Sequence, residues 1–142
     1  MKRLLFLSLL FCCFSAFSQV SNIVGNWKTI DDETNEEKSI VRIYKATNGK
    51  YYGKVEKLFK NPDGKCVNCK DANKDKPILG MVIITDMEEK GDKLEGGYIL
   101  DPAKGKKYSA IIAYDKDSGK LKVRGYIGIS LAGRNQFWVK AE

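Results

Sequence analysis

Cys66 and Cys69, spaced as Cys-Val-Asn-Cys, and the arginines Arg124 and Arg134, set among Tyr126, Phe137 and Trp138, are the residues whose types and spacing could do chemistry. Two thiols three residues apart close a disulfide, shuttle electrons, or give a metal two of its ligands. Guanidinium groups beside phenol and indole rings offer cation and hydrogen-bond donors to an anionic or amphipathic molecule. On this basis Arg124, Tyr126, Tyr98 and Arg134 form the candidate ligand-binding set. Histidine is absent from the whole chain. Its absence removes Ser-His-Asp triads, Cys-His pairs and every imidazole metal ligand. No nucleophile–base pair remains in the pattern, so no catalytic residue is assigned and the chain is read as a non-enzyme. The acids Asp31, Asp32 and Glu33 are adjacent rather than alternately spaced as in a calcium loop, and are read as solvated turn charges. Asp101, before Pro102, is read as a turn-former.

For the cysteine pair, three readings stand side by side. A structural disulfide follows if the chain is exported to an oxidising compartment, and its small ring would contribute about 2 kcal/mol, stiffening the loop more than the fold. A redox role is disfavoured because the pair does not precede a helix whose N-terminus would lower a thiolate pKa. A metal site would need Asp63, Asp71 or a second chain to complete four ligands. No metal and no cofactor are assigned.

The elements that must position these residues begin after a leader. Residues 1–18 open with Lys2 and Arg3, continue through the apolar run Leu4 to Phe14, and end in Ser15, Ala16 and Ser18. That order predicts a secretory signal peptide cut after Ser18, so the protein is expected to be periplasmic or secreted. The run is shorter than the roughly 20 residues of a bilayer span, and the processed form is expected to have no transmembrane segment. Cys12 and Cys13 leave with it, as do two basic residues. The processed chain then carries 23 basic against 18 acidic residues, a net +5 in place of +7. No run of lysine or arginine concentrates that charge, so no nucleic-acid partner is expected.

Residues 19–142 are expected to form a single domain of short strands separated by turn signals. The predicted strands are Ile23 to Ile30, Ser39 to Lys45, Tyr51 to Leu58, Pro77 to Thr85, Leu94 to Leu100, Tyr108 to Tyr114, Leu121 to Ile127 and Arg134 to Lys140. Asn48-Gly49, Gly91-Asp92, Asp101-Pro102 with Gly105, and Asp117-Ser118-Gly119 mark turns, and Asn61 to Lys76 a long surface loop. Helical periodicity is missing throughout. About eight short antiparallel strands can close an up-and-down β-barrel, which removes exposed edges; an open two-sheet sandwich is the alternative. In the seventh strand, alternation places Lys122, Arg124 and Tyr126 on one face and Leu121, Val123 and Gly125 on the other, with either face free to be the inner one.

Gly25-Asn26-Trp27 on the first strand, with arginines near the last, resembles the base of lipocalin and avidin-like barrels. The resemblance implies that Gly25 lets the chain bend, that Trp27 plugs the barrel end, and that Arg134, or else Arg124, lies across the indole. A wider resemblance covers the processed chain: GNW at Gly25, KSIVRIY from Lys38, GKV at Gly53, the CVNC loop, KPILGM from Lys76, GGYILDP from Gly96, GKKY at Gly105, and VRGYIG followed by GRNQFW. It is similar to the exported bacterial family catalogued as domain of unknown function 2147. That implies a small exported barrel, with no activity to carry over. Two functions are therefore expected to compete. One is a barrel binding a small apolar or amphipathic ligand, or a cell-envelope component. The other is a structural module with a filled barrel whose disulfide-stapled loop contacts an envelope protein partner.

Overall fold

The computed structural model describes residues 19–142, and the predicted signal peptide with Cys12 and Cys13 lies outside them. Nine strands follow a 3₁₀ turn at Gln19–Asn22: β1 Gly25–Ile30, β2 Glu37–Lys45, β3 Tyr51–Leu58, β4 Val82–Lys90, β5 Lys93–Glu95, β6 Tyr98–Asp101, β7 Lys106–Asp115, β8 Lys120–Tyr126 and β9 Arg134–Lys140. Neighbours pair antiparallel around one sheet, and β9 returns to β1, Trp27 facing Lys140. The sheet closes because β3 also pairs β4, while β5 and β6 share a single place between β4 and β7. The result is an eight-position antiparallel barrel, the architecture expected from the strand rhythm.

Three strand predictions are corrected. The apolar run from Pro77 does not begin a strand there; β4 starts at Val82. Residues 77–81 instead seal the long loop, with Ile78 donating to Gly64 O and Gly80 to Val55 O. Gly80 has φ +83°, a left-handed turn that stops the run from extending. The predicted strand Leu94 to Leu100 is broken at Gly96–Gly97, where a Cβ on Gly97 would stand 2.1 Å from Thr85 O. Only a residue without a side chain lets β4 pass this close. Finally, β1 starts at Gly25 rather than Ile23, because Ile23 closes the 3₁₀ turn on Val20 O and buries its side chain instead of pairing.

Alternation along the strands sorts side chains cleanly into interior and exterior. Trp27, Val41, Ile43, Val55, Ile112, Leu121, Val123 and Trp138 are all buried on the inner face. Both ends are defined by which turns lie there. The 3₁₀ turn, the β2–β3 and β7–β8 turns and the C-terminus lie at one end; the β1–β2 and β6–β7 turns, the Phe59-to-Met81 loop and the β8–β9 loop lie at the other.

Candidate functional site: a plugged base and an open mouth

At the first end the barrel is shut. Val20 and Ile23 pack beneath fully buried Trp27, whose Nε1 donates to Ile23 O at 2.7 Å. Tyr114 tilts against the indole, with ring centroids 6.3 Å apart. Gly25 has φ +137°, which a residue with a side chain rarely adopts, so glycine is required where the strand bends into the base. The cation over the indole is Lys140, its Nζ 5.5 Å from the ring centroid. Arg134 is not there. Tyr51 seals the side of this base, its hydroxyl donating to Glu89 at 3.1 Å. Burial, and then the Glu89 carboxylate, hold that phenol above its ordinary pKa, so it stays a neutral donor.

The other end opens into a cavity of about 820 Å³. Val55, Ile83, Ile99, Val123 and Trp138 form its apolar wall, with Leu58 at the end of β3 and Ile78 from the long loop along one side. Polar and charged side chains ring the mouth, Asp32, Lys38, Lys60, Lys104 and Arg134 among them. Thr29 and Ser39 hold each other at 2.8 Å, and Thr29 Oγ1 accepts the Ser39 N–H, so this buried pair is internally satisfied. Tyr108 and Gln136 also line the cavity. Gln136 Oε1 accepts from Trp138 Nε1 at 3.1 Å, which turns the indole edge toward the rim.

Arg134 stands at the mouth. It donates to Asp32 through Nε and, at 2.7 Å, through Nη2, and pairs with Glu33 at 3.0 Å; Gln136 donates to Asp32 as well. The Arg134 hydrogen bond, which outweighs the opposing effect of burial and is helped by the Asp32 backbone and Gln136 donors, holds the Asp32 carboxyl below the usual carboxylate range. The pair ties the β1–β2 turn to the start of β9. The acids read as solvated turn charges thus divide: Asp31 accepts the N–H groups of Glu33 and Thr34 in its own turn, while Asp32 is a rim residue.

The predicted binding set is not brought together. Arg124 and Tyr126 lie on the outer face of β8, because Leu121, Val123 and Gly125 take the inner positions. Arg124 instead clamps the β8–β9 loop, donating to Ser130 O at 2.7 Å, Leu131 O at 3.2 Å and Asn135 Oδ1 at 2.8 Å. Tyr98 is also outside, under the Lys107 ammonium, while its neighbour Ile99 points in. Of the four, only Arg134 lines the cavity. Thr29, Ser39, Tyr108, Gln136 and Trp138 were missed by sequence reasoning. The available signal was the alternation Arg134, Gln136, Trp138 along β9, opposite the apolar inner residues of β8.

Cys66 and Cys69 are joined in a disulfide and are buried. Their loop lies over the outer face of the β6–β7 hairpin, covering Leu100. Asn68 donates to Ala103 O at 2.8 Å, Lys107 pairs with Asp71 at 2.6 Å, and a Cβ on Gly105 would stand 1.9 Å from Asn68 O. Asp101, with its carboxylate accepting the Ala103 N–H at 3.0 Å, shapes the turn beneath. Among the described residues no three carboxylate or thiol side chains gather around a point where a metal ion would sit.

A closed antiparallel barrel, plugged at one end and hollow at the other, places this chain among the lipocalin-like barrels. The protein HP1028 of Helicobacter pylori, described as belonging to the lipocalin family, superposes with a TM-score of 0.72 over 84% of this chain and 82% of that one, at 20% identity. No curated protein matches the sequence. The chain belongs to the family described as "Uncharacterized protein conserved in bacteria (DUF2147)", whose model matches residues 25–140.

Proposed function

We propose that this protein is an exported, non-enzymatic binder that takes one small apolar or amphipathic molecule into the barrel through its open end. The observation that carries the reading is the 820 Å³ cavity, whose inner wall is apolar and whose mouth is ringed by polar and charged side chains. Pockets of about 300 to 1,000 Å³, mainly apolar with a few placed polar groups, are the usual size and character of small-molecule sites. The same volume argues against the filled-barrel module, in which aromatic side chains would occupy that space. Export is inferred from the leader of residues 1–18, and the buried disulfide is in keeping with an oxidising compartment.

In this reading Val55, Ile99, Val123 and Trp138 hold the apolar body, while Tyr108, Thr29 and Gln136 present hydrogen-bonding groups to a polar end. Arg134 acts as a strut for the rim more than as a free cation, since Asp32 and Glu33 already occupy its fork.

The test is native mass spectrometry of protein recovered from its producing cells, compared with the denatured mass. Extra mass that is lost on denaturation is expected from the wild type and is expected to be absent from Val123→Phe, which fills the wall. A clean apo mass from the wild type, together with no binding of fatty acids, phospholipids or isoprenoids added in vitro, would overturn the reading.

A further inference from the structure

We infer that the β8–β9 loop docks the open end of the barrel onto an anionic lipid bilayer. Ile127, Ile129 and Leu131 are 66%, 65% and 89% exposed, the three most exposed large apolar side chains among the described residues. They fall within the seven residues Ile127–Gly133, which contain no charged residue in a chain that is 30% charged. Isolated surface leucines carry no message, but three clustered on one uncharged tip do.

The tip is also held rigidly. The outer-face guanidinium of Arg124 clamps the carbonyls of Ser130 and Leu131, and Gly133 packs so closely that an added Cβ would lie 2.8 Å from Gly125 O. The apolar side chains are therefore displayed without an ordering cost at the moment of contact. A loop this small offers far less than the roughly 800 Å² per partner of a standard protein interface. A bilayer needs no such area, because each inserted side chain gains its own transfer free energy.

The charge nearest the tip suits an anionic headgroup layer, the acids Asp32 and Glu33 across β9 being paired with Arg134. Arg124 at its root and Lys104 and Lys106 at the adjoining β6–β7 turn form no ion pair with any carboxylate among the described residues. With the apolar tip inserted, these cations would lie near headgroup level. The loop re-enters the barrel at Arg134 on the cavity rim, so docking would set the mouth against the membrane surface.

The experiment is flotation with vesicles of phosphatidylcholine, with and without phosphatidylglycerol. It uses protein from the soluble fraction of cells expressing the full chain, with the same N-terminus verified by mass in every variant. Wild type is expected to float with the phosphatidylglycerol vesicles and less with phosphatidylcholine alone. Leu131→Asp and Ile129→Asp should each weaken partition by more than about tenfold, the lost transfer of one leucine or isoleucine adding to repulsion of the new carboxylate, and the uncharged Leu131→Ser by about tenfold. Thermal unfolding checks the fold of each variant, and Leu131→Ser replaces any that is destabilised. Failure of the wild type to float would overturn the inference and leave the tip to a protein partner. Flotation unchanged in the folded loop variants would also overturn it, as adsorption by charge alone. No cavity ligand is needed, so vesicle binding by an apo barrel leaves the inference standing, and ligand capture without vesicle binding overturns it alone.

Discussion

The place over the indole expected for Arg134 is taken by Lys140, the cation at the other end of the same strand. Lys140, the last residue of β9, lies over Trp27, while Arg134, six residues earlier, stands at the opposite end of the barrel on Asp32. Trp27→Ala should cost about 3 to 5 kcal/mol, because the fully buried indole cannot be replaced by collapse of the base. In double-mutant cycles measured by urea unfolding, Trp27 and Lys140 should couple by about 0.5 to 2 kcal/mol. Trp27 and Arg134 should be additive to within about 0.5 kcal/mol. The Asp32 pair makes a pH-dependent prediction. Its carboxyl is held below its ordinary value in the folded protein, chiefly by Arg134. Such a group stabilises the fold above the unfolded aspartate pKa of about 3.9 and loses that contribution as acid protonates the folded carboxylate. Asp32→Asn should therefore be less stable than wild type at neutral pH, and the gap should close below about pH 4. A gap unchanged from neutral to acid would mean that the pair contributes packing rather than charge.

At the scale of elements, the excursion between β3 and β4 is stapled within itself by the disulfide and fastened to the β6–β7 hairpin by three contacts. Gly105, at φ +65° against Asn68 O, is the tightest of these. Gly105→Ala should free the cysteine loop, exposing it to limited proteolysis between Gly64 and Lys76 while the barrel still unfolds cooperatively. Cys66→Ser with Cys69→Ser should cost about 2 kcal/mol, the scale of a small ring, and give the same cleavage pattern. Different cleavage patterns would show that the turn and the disulfide secure separate segments. The existence of this loop was legible from its proline, glycine, cysteine and lysine content. Its packing over Leu100 was not, because the contacts join residues more than thirty positions apart.

For the whole molecule, closure depends on β3 meeting β4 and on β5 and β6 sharing one place in the sheet. That arrangement leaves one end plugged by Val20, Ile23 and Trp27 and the other hollow. Filling the hollow by Val123→Phe should be tolerated, with a stability change below about 1.5 kcal/mol, because an open cavity accepts volume that a packed core would reject. A loss of about 3 kcal/mol or more would mean that Val123 sits in a packed layer and that the mouth is narrower than its volume suggests.

The sequence by itself determined the all-β class, most of the turn positions and the family, because these rest on local backbone preference, period-2 alternation and the order of short motifs. It also gave both faces of β8 as alternating sets. Which face is inner was decided only when the sheet closed, since alternation alone is symmetric between the two. Closure turned Arg124 and Tyr126 outward and put Val123 on the cavity wall. It set Lys140 rather than Arg134 over the indole, and carried Asp32 across 102 residues to meet Arg134. These are facts of register between strands distant in the chain, and no local signal encodes them.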